Sequence, residues 1–75
     1  MMNKIVYVHS DDWCGLYVND KLIYENHSIP TVTFAELMMG NQPIESFNMQ
    51  CVDLDWMHEV GNLPENLNDV VFEEE

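Results

Sequence analysis

Residues 14–24 read CGLYVNDKLIY, and this stretch decides the fold. Apolar, β-branched and aromatic side chains fill both of its arms, which is typical of β-strands. The central Asn19-Asp20 pair can adopt the positive φ angles of a two-residue primed turn. The sequence therefore predicts a β-hairpin in which Val18 pairs with Lys21, Tyr17 with Leu22, and Leu16 with Ile23.

Both faces of this predicted hairpin are apolar. One face carries Leu16, Val18 and Ile23, and the other carries Trp13, Tyr17, Leu22 and Tyr24. A hairpin with two apolar faces either lies between two layers of a fold or keeps one face for a partner.

Elements on either side of the hairpin are shorter. Lys4–Val8 is β-branched and aromatic, which indicates a strand. After Pro30, Thr33 and Glu36 have the spacing of a capping box, and Gly40 is placed to end the helix. The side chains that would form its apolar stripe are Phe34, Leu37 and Met38.

The second half of the chain predicts one more clear strand. Residues 44–52 alternate so that Phe47, Met49 and Cys51 share one face, which we expect to be buried. We expect Asp55 to cap a short turn over Trp56–Val60 that Gly61 closes, and Val70–Phe72 to form a last short strand. The fold class is then α+β, a small antiparallel sheet of three to five short strands with one short helix packed on one face. A single compact domain is expected over residues 1–72, followed by an acidic C-terminal end at 73–75.

Two segments, DDWCGLYVNDKLIYENHSI and GNLPENLNDV, resemble small uncharacterised acidic proteins of bacterial and phage genomes. Together they cover about 30 of the 75 residues. The resemblance implies a compact fold of antiparallel strands and one helix. It implies no activity, because that family has none assigned, and no functional residue transfers from it.

Charge restricts the partners of this chain. Fourteen carboxylates face two lysines and no arginine, giving a net charge of -12, and no basic residue follows Lys21. Such a chain is attracted to basic surfaces and repelled by nucleic acid and anionic membranes. We therefore expect no direct nucleic-acid binding and no membrane association. The longest apolar runs, such as Ile5–Val8, are too short for a membrane span or a signal peptide, so we expect a cytoplasmic protein.

Motifs that would support catalysis or metal binding are weak. His9, Asp11, Asp12 and Cys14 lie within six residues, but the pattern lacks a Cys-x-x-Cys or His-x-x-x-His spacing and is more typical of a polar turn. The chain has no glycine-rich phosphate loop and no arginine to hold an anionic substrate. Neither an enzyme activity, a metal site nor a cofactor is expected. Cys14 and Cys51 are expected to be reduced thiols.

The leading hypothesis is a non-catalytic acidic protein that docks on a basic surface of a protein partner. Its sharpest form is a phage or mobile-element inhibitor that mimics nucleic acid. The carboxylates expected to act are Asp53, Asp55, Glu59, Glu65 and Asp69, with Trp56 as the candidate aromatic anchor. Two alternatives stay open. One is a structural or accessory subunit that forms a homodimer through the hairpin's apolar face, and the other is a small metal- or redox-responsive protein.

Overall fold

Residues 2–73 are described by the structure, a computed structural model of the chain. Over this range the chain forms β1 (Asn3–His9), β2 (Cys14–Val18), β3 (Lys21–Asn26), α1 (Thr31–Gly40), β4 (Ile44–Cys51), α2 (Leu54–Val60) and a short 3-10 turn at Leu67–Asp69. Four strands make one sheet in the order β3-β2-β1-β4. The predicted α+β class, with a small sheet and a short helix against it, is confirmed.

The β2–β3 hairpin has the predicted turn and the predicted register next to that turn. Asn19 and Asp20 have φ angles of 50° and 72°, and Tyr17 pairs with Leu22. A bulge then shifts the register, so that Leu16 pairs with Tyr24 instead of Ile23. Because successive strand residues point to opposite faces, a one-residue shift moves each side chain to the other face. The predicted faces of Ile23 and Tyr24 were therefore wrong. Ile23 is 39% exposed, and Tyr24 packs on the face that Leu16 and Val18 share.

Both faces of β2 are covered by other parts of the chain. On one face Ile5, Leu16 and Val18 are buried, with Leu37 and Met38 of α1 packed against them. On the opposite face a second buried cluster contains Val8, Tyr17, Val52, Met57, Leu63 and Val70. The last three of these belong to α2 and the segment after it. We call residues 53–70 the C-terminal layer. The hairpin thus lies between two layers, the first of the two arrangements predicted.

The sheet is mixed because β4 runs parallel to β1. In the two antiparallel pairings of β2, both β1 and β3 run opposite to it and so point the same way. A helical crossover starts the next strand in the direction of the one before it, so β4 also runs with β1. The expectation of an entirely antiparallel sheet missed this crossover. The predicted buried face of β4 was also wrong, since Phe47 and Met49 are 42% and 65% exposed.

Helix α1 has the predicted stripe but different ends. Phe34, Leu37 and Met38 are half-buried, as the spacing predicts. The helix begins at Thr31 after Pro30, and no side chain caps it, so the predicted Thr33–Glu36 capping box was wrong. At the other end Asn41 satisfies the free carbonyls. Its backbone N–H donates to Met38 O over 3.3 Å and its Nδ2 donates to Leu37 O over 2.6 Å.

Helix α2 is capped by Asp53 instead of the predicted Asp55. The Asp53 Oδ1 atom accepts a hydrogen bond of 2.9 Å from the Trp56 N–H. Gly61 closes the helix with a φ of 79°, as predicted. The predicted final strand is reduced to one antiparallel bridge between Val52 and Phe72. Of the predicted acidic end, residues 74–75 lie outside the described residues.

Candidate docking surface

All five carboxylates predicted to face a partner lie in the C-terminal layer. Asp55, Glu59, Glu65 and Asp69 are exposed. Asp53 is half-buried, and its side chain caps α2. Asp53 therefore serves the fold first, and the other four carboxylates are available to a partner.

The α2 end of this layer gains further acids from the loop between β1 and β2. Asp55 and Glu59 are one helical turn apart and so lie on the same side of α2. His58, between them, places its Nε2 atom 3.5 Å from Asp11 Oδ2. The side chains of Asp11, Asp12 and His58 each offer an atom within 4.8 Å of the others. Sequence reasoning missed this meeting because no local pattern links residues 11–12 to residue 58.

Asp11, Asp12 and His58 are the metal-ligand types that come closest together in the described part of the chain. All three are exposed. A structural zinc site needs four converging ligands, and calcium takes six or more oxygens. Three exposed side chains fall short of both sets. The predicted polar turn is confirmed here, since the Ser10 N–H donates to Trp13 O over 2.7 Å. We interpret the group as a solvated acidic patch.

The other end of the layer lies beside the hairpin turn. The Leu67 N–H donates to Asp20 O over 2.9 Å, and the Leu22 N–H donates to Glu65 O over 2.8 Å. These bonds fix the segment that carries Glu65 and Asp69 to the open edge of β3. They also bring Asp20, which is exposed, to the same end of the layer.

Few cations oppose these acids. In the described part of the chain, the ion pair formed by a lysine joins Lys4 Nζ to Glu45 Oε2 at 3.8 Å, outside the C-terminal layer. Both of those side chains are largely exposed, so the pair contributes little to stability. The other lysine, Lys21, pairs with Asn66 at the hairpin end of the layer, beside Glu65. The carboxylates at the α2 end, Asp55 and Glu59, have no lysine beside them in the described part of the chain.

Trp56 is part core and part surface. Its side chain packs against the buried cluster that includes Val8 and Tyr17, and it is half-buried. Burial on that side fixes the ring. The rest of the side chain is exposed and can contact a partner.

Cys14 and Cys51 lie on opposite sides of one strand. His9 of β1 is paired with both, with Cys14 on β2 and Cys51 on β4. Two strand spacings amount to about 9.5 Å, whereas a disulfide needs Cα atoms within about 7 Å. A hydrogen bond with the Glu73 side chain, together with desolvation, raises the pKa of the Cys51 thiol and so disfavours its thiolate. An intramolecular disulfide switch would require the sheet to open.

The proposed homodimer surface is also occupied. Leu16, Tyr17 and Val18 are at most 9% exposed, because both layers cover the hairpin. Ile23 of β3 stays 39% exposed. The homodimer alternative stays a prediction.

Comparison of the chain with protein-family models, curated protein sequences and solved structures gave no match. The resemblance to small acidic proteins therefore stays a prediction. Within residues 2–73, none of the helices has the length and apolar character that crossing a membrane requires.

Proposed function

We propose that this protein is a non-catalytic binding protein whose C-terminal layer docks on a basic surface of a partner protein. One observation carries the proposal. Four exposed carboxylates, Asp55, Glu59, Glu65 and Asp69, lie on one layer, and the chain has no lysine or arginine beyond Lys21. Ordinary solvated surfaces mix charges of both signs. A layer with several exposed carboxylates and no lysine or arginine of its own favours a partner of positive charge.

The layer would act mainly through the rate of association. Uncompensated charges attract an oppositely charged surface over distances of about one Debye length, near 10 Å at moderate salt. Once the surfaces meet, the exposed edge of Trp56 would be the aromatic contact at the α2 end.

The sharper form of this proposal is an inhibitor, encoded by a phage or mobile element and acting in the cytoplasm, that occupies a nucleic-acid-binding groove. Carboxylates would take the place of phosphates there. Its own charge of -12 would prevent it from binding DNA or RNA directly.

Affinity capture with matched charge reversals tests the proposal. The first variant carries Asp55→Lys and Glu59→Lys in the C-terminal layer. The control carries Val32→Lys, Glu36→Lys and Met39→Lys on the exposed side of α1, outside that layer. Both variants raise the net charge by the same amount, and all five side chains are exposed. Each protein is immobilised, exposed to host lysate at low salt and eluted with high salt.

We expect the wild type and the control to retain the same basic protein, and the layer variant to lose it. After purification, that basic protein should bind the wild type at least about tenfold more tightly than it binds the layer variant. Equal loss in the two variants would mean that only net charge matters. The acids would then be an ordinary solvated surface.

A further inference from the structure

The outer edge of β4 is open along part of its length. The Val52 N–H donates to His9 O of β1, so even-numbered residues of β4 direct their backbone groups toward β1. Since these directions alternate along a strand, Phe47 and Met49 direct their N–H and C=O groups outward. The chain covers its own edge only further on, where the Glu73 N–H donates to Cys51 O over 2.9 Å. In the described chain no strand pairs with β4 on its outer side.

An apolar groove lies beside this open edge. It is lined by Phe47 and Met49 of β4, Tyr7 of β1, and Phe34 and Met38 of α1. The groove has a volume of about 540 Å³. The rings of Phe34 and Phe47 are 5.9 Å apart, so α1 reaches the edge of the sheet. It does not cover that edge, because Phe47 and Met49 stay exposed.

Natural edge strands are commonly protected by lysine, proline or a bulge. Residues 46–50 read SFNMQ and contain no lysine or proline, and the bulge in the β1–β4 pairing lies earlier, next to Asn3. An edge without these features, next to exposed apolar side chains, can accept an added strand.

Charge decides between the possible occupants of this edge. A second copy would bring another net charge of -12 to the same surface, which the existing charge repels. The two ends of the open edge carry exposed carboxylates, Glu45 and Glu73. Glu45 forms an exposed ion pair of 3.8 Å with Lys4, which neutralises it only weakly. Both features favour a basic segment over a second copy.

We propose that β4 accepts an extended, basic segment of a partner protein, which pairs with Phe47–Met49 and places alternate apolar side chains in the groove. This surface is separate from the C-terminal layer. The inference does not depend on the docking function proposed for that layer.

Two synthetic peptides of identical composition test the proposal. One, of about ten residues, alternates lysine with valine, as strand addition requires, and the other has its lysines and valines in two blocks. The decisive variant is Met49→Pro, which removes an outward N–H while leaving the bonds to β1 in place. Met49→Ala keeps that N–H and shortens the side chain. The double variant Asp55→Lys, Glu59→Lys is the charge control.

We expect the wild type to bind the alternating peptide about tenfold more tightly than the block peptide, and Met49→Pro to remove that difference. Met49→Ala should keep part of it. The charge control should weaken both peptides and leave their ratio unchanged. Amide hydrogen exchange gives a second readout that needs no variant. The alternating peptide should slow exchange at Phe47 and Met49 in the wild type, and the block peptide should not.

Equal affinity for both peptides, with no protection of those two amides, would overturn the proposal and leave charge alone as the cause of binding. A dimer in solution that Met49→Pro converts to a monomer would overturn it as well, because a second copy would then occupy the edge.

Discussion

The phenolic hydroxyl of Tyr17 donates a hydrogen bond to the carbonyl oxygen of Pro64 across 2.5 Å. This bond joins the centre of the hairpin to the C-terminal layer, over a sequence separation of 47 residues. The Tyr17 side chain is fully buried among residues of that layer. The acidic layer is thus held on the sheet by the same residue that centres the hairpin.

Alkaline pH should loosen this attachment. Burial, followed by the charges of Glu25 and Asp69, raises the pKa of Tyr17 from 10.0 to about 12. The unfolded chain releases that proton near pH 10, whereas the folded chain keeps it. The contribution of Tyr17 is therefore complete below about pH 10 and is lost as the pH rises toward about 12. Urea unfolding of the wild type and of Tyr17→Phe across this range measures it. The variant should be less stable by about 1 kcal/mol at neutral pH and should lose less between about pH 10 and pH 12. Identical alkaline slopes for the two proteins would show that Tyr17 does not titrate in this way.

Gly15 lies in direct contact with the C-terminal layer through Leu63. A Cβ at this position would overlap Leu63 Cδ1 and would lie 3.3 Å from both Leu22 Cδ1 and Tyr24 O. We expect Gly15→Ala to lower the free energy of unfolding by about 1–3 kcal/mol. The Leu63 side chain would have to move, and so would the Tyr24 carbonyl, which belongs to the backbone of β3. Gly40→Ala is the control. A Cβ there has no neighbour within 4 Å, so the change should be neutral or stabilising by up to about 1 kcal/mol. Denaturant unfolding that ranks Gly40→Ala as the more harmful change would contradict this packing.

Trp56 should matter to stability before it matters to any partner. Its half-buried ring packs against the cluster that contains Val8 and Tyr17, so Trp56→Ala should cost about 3 kcal/mol. Leu54, also in α2, is 39% exposed, and Leu54→Ala should cost no more than about 1 kcal/mol. Thermal unfolding compares the two variants. If Trp56→Ala has the same melting temperature as the wild type, the ring does not stabilise the core. Its role as an aromatic anchor would then be the main one.

The hairpin turn could be predicted from the sequence because Asn19 and Asp20 tolerate positive φ angles and apolar residues flank them. It did not reveal the bulge that shifts Tyr24, since a bulge leaves the local apolar pattern unchanged. The direction of β4 depends on the crossover through α1, which no residue of β4 encodes. The sequence predicted that Asp53, Asp55, Glu59, Glu65 and Asp69 face a partner, but it could not show that they belong to one layer of the fold. The approach of Asp11 to His58 is a long-range contact with no local signal.

Salt should stabilise the protein. With a net charge of -12 and a single lysine–carboxylate pair in the described chain, self-repulsion outweighs attraction, and added salt screens it. The melting temperature should rise between about 0.02 M and about 0.3 M sodium chloride. The double variant Asp55→Lys, Glu59→Lys should melt higher than the wild type at low salt and respond less to added salt. A melting temperature that falls steadily over the same range would mean that specific ion pairs dominate.

The association rate constant with the captured basic partner, measured at several ionic strengths, tests the docking role of the C-terminal layer most directly. For the wild type and for the Val32→Lys, Glu36→Lys, Met39→Lys control, the rate should fall by about tenfold or more between about 0.05 M and 0.3 M salt. For Asp55→Lys, Glu59→Lys it should start lower and change less. Rates and salt slopes that are equal in the two variants would contradict the claim that this layer, and not net charge alone, directs docking.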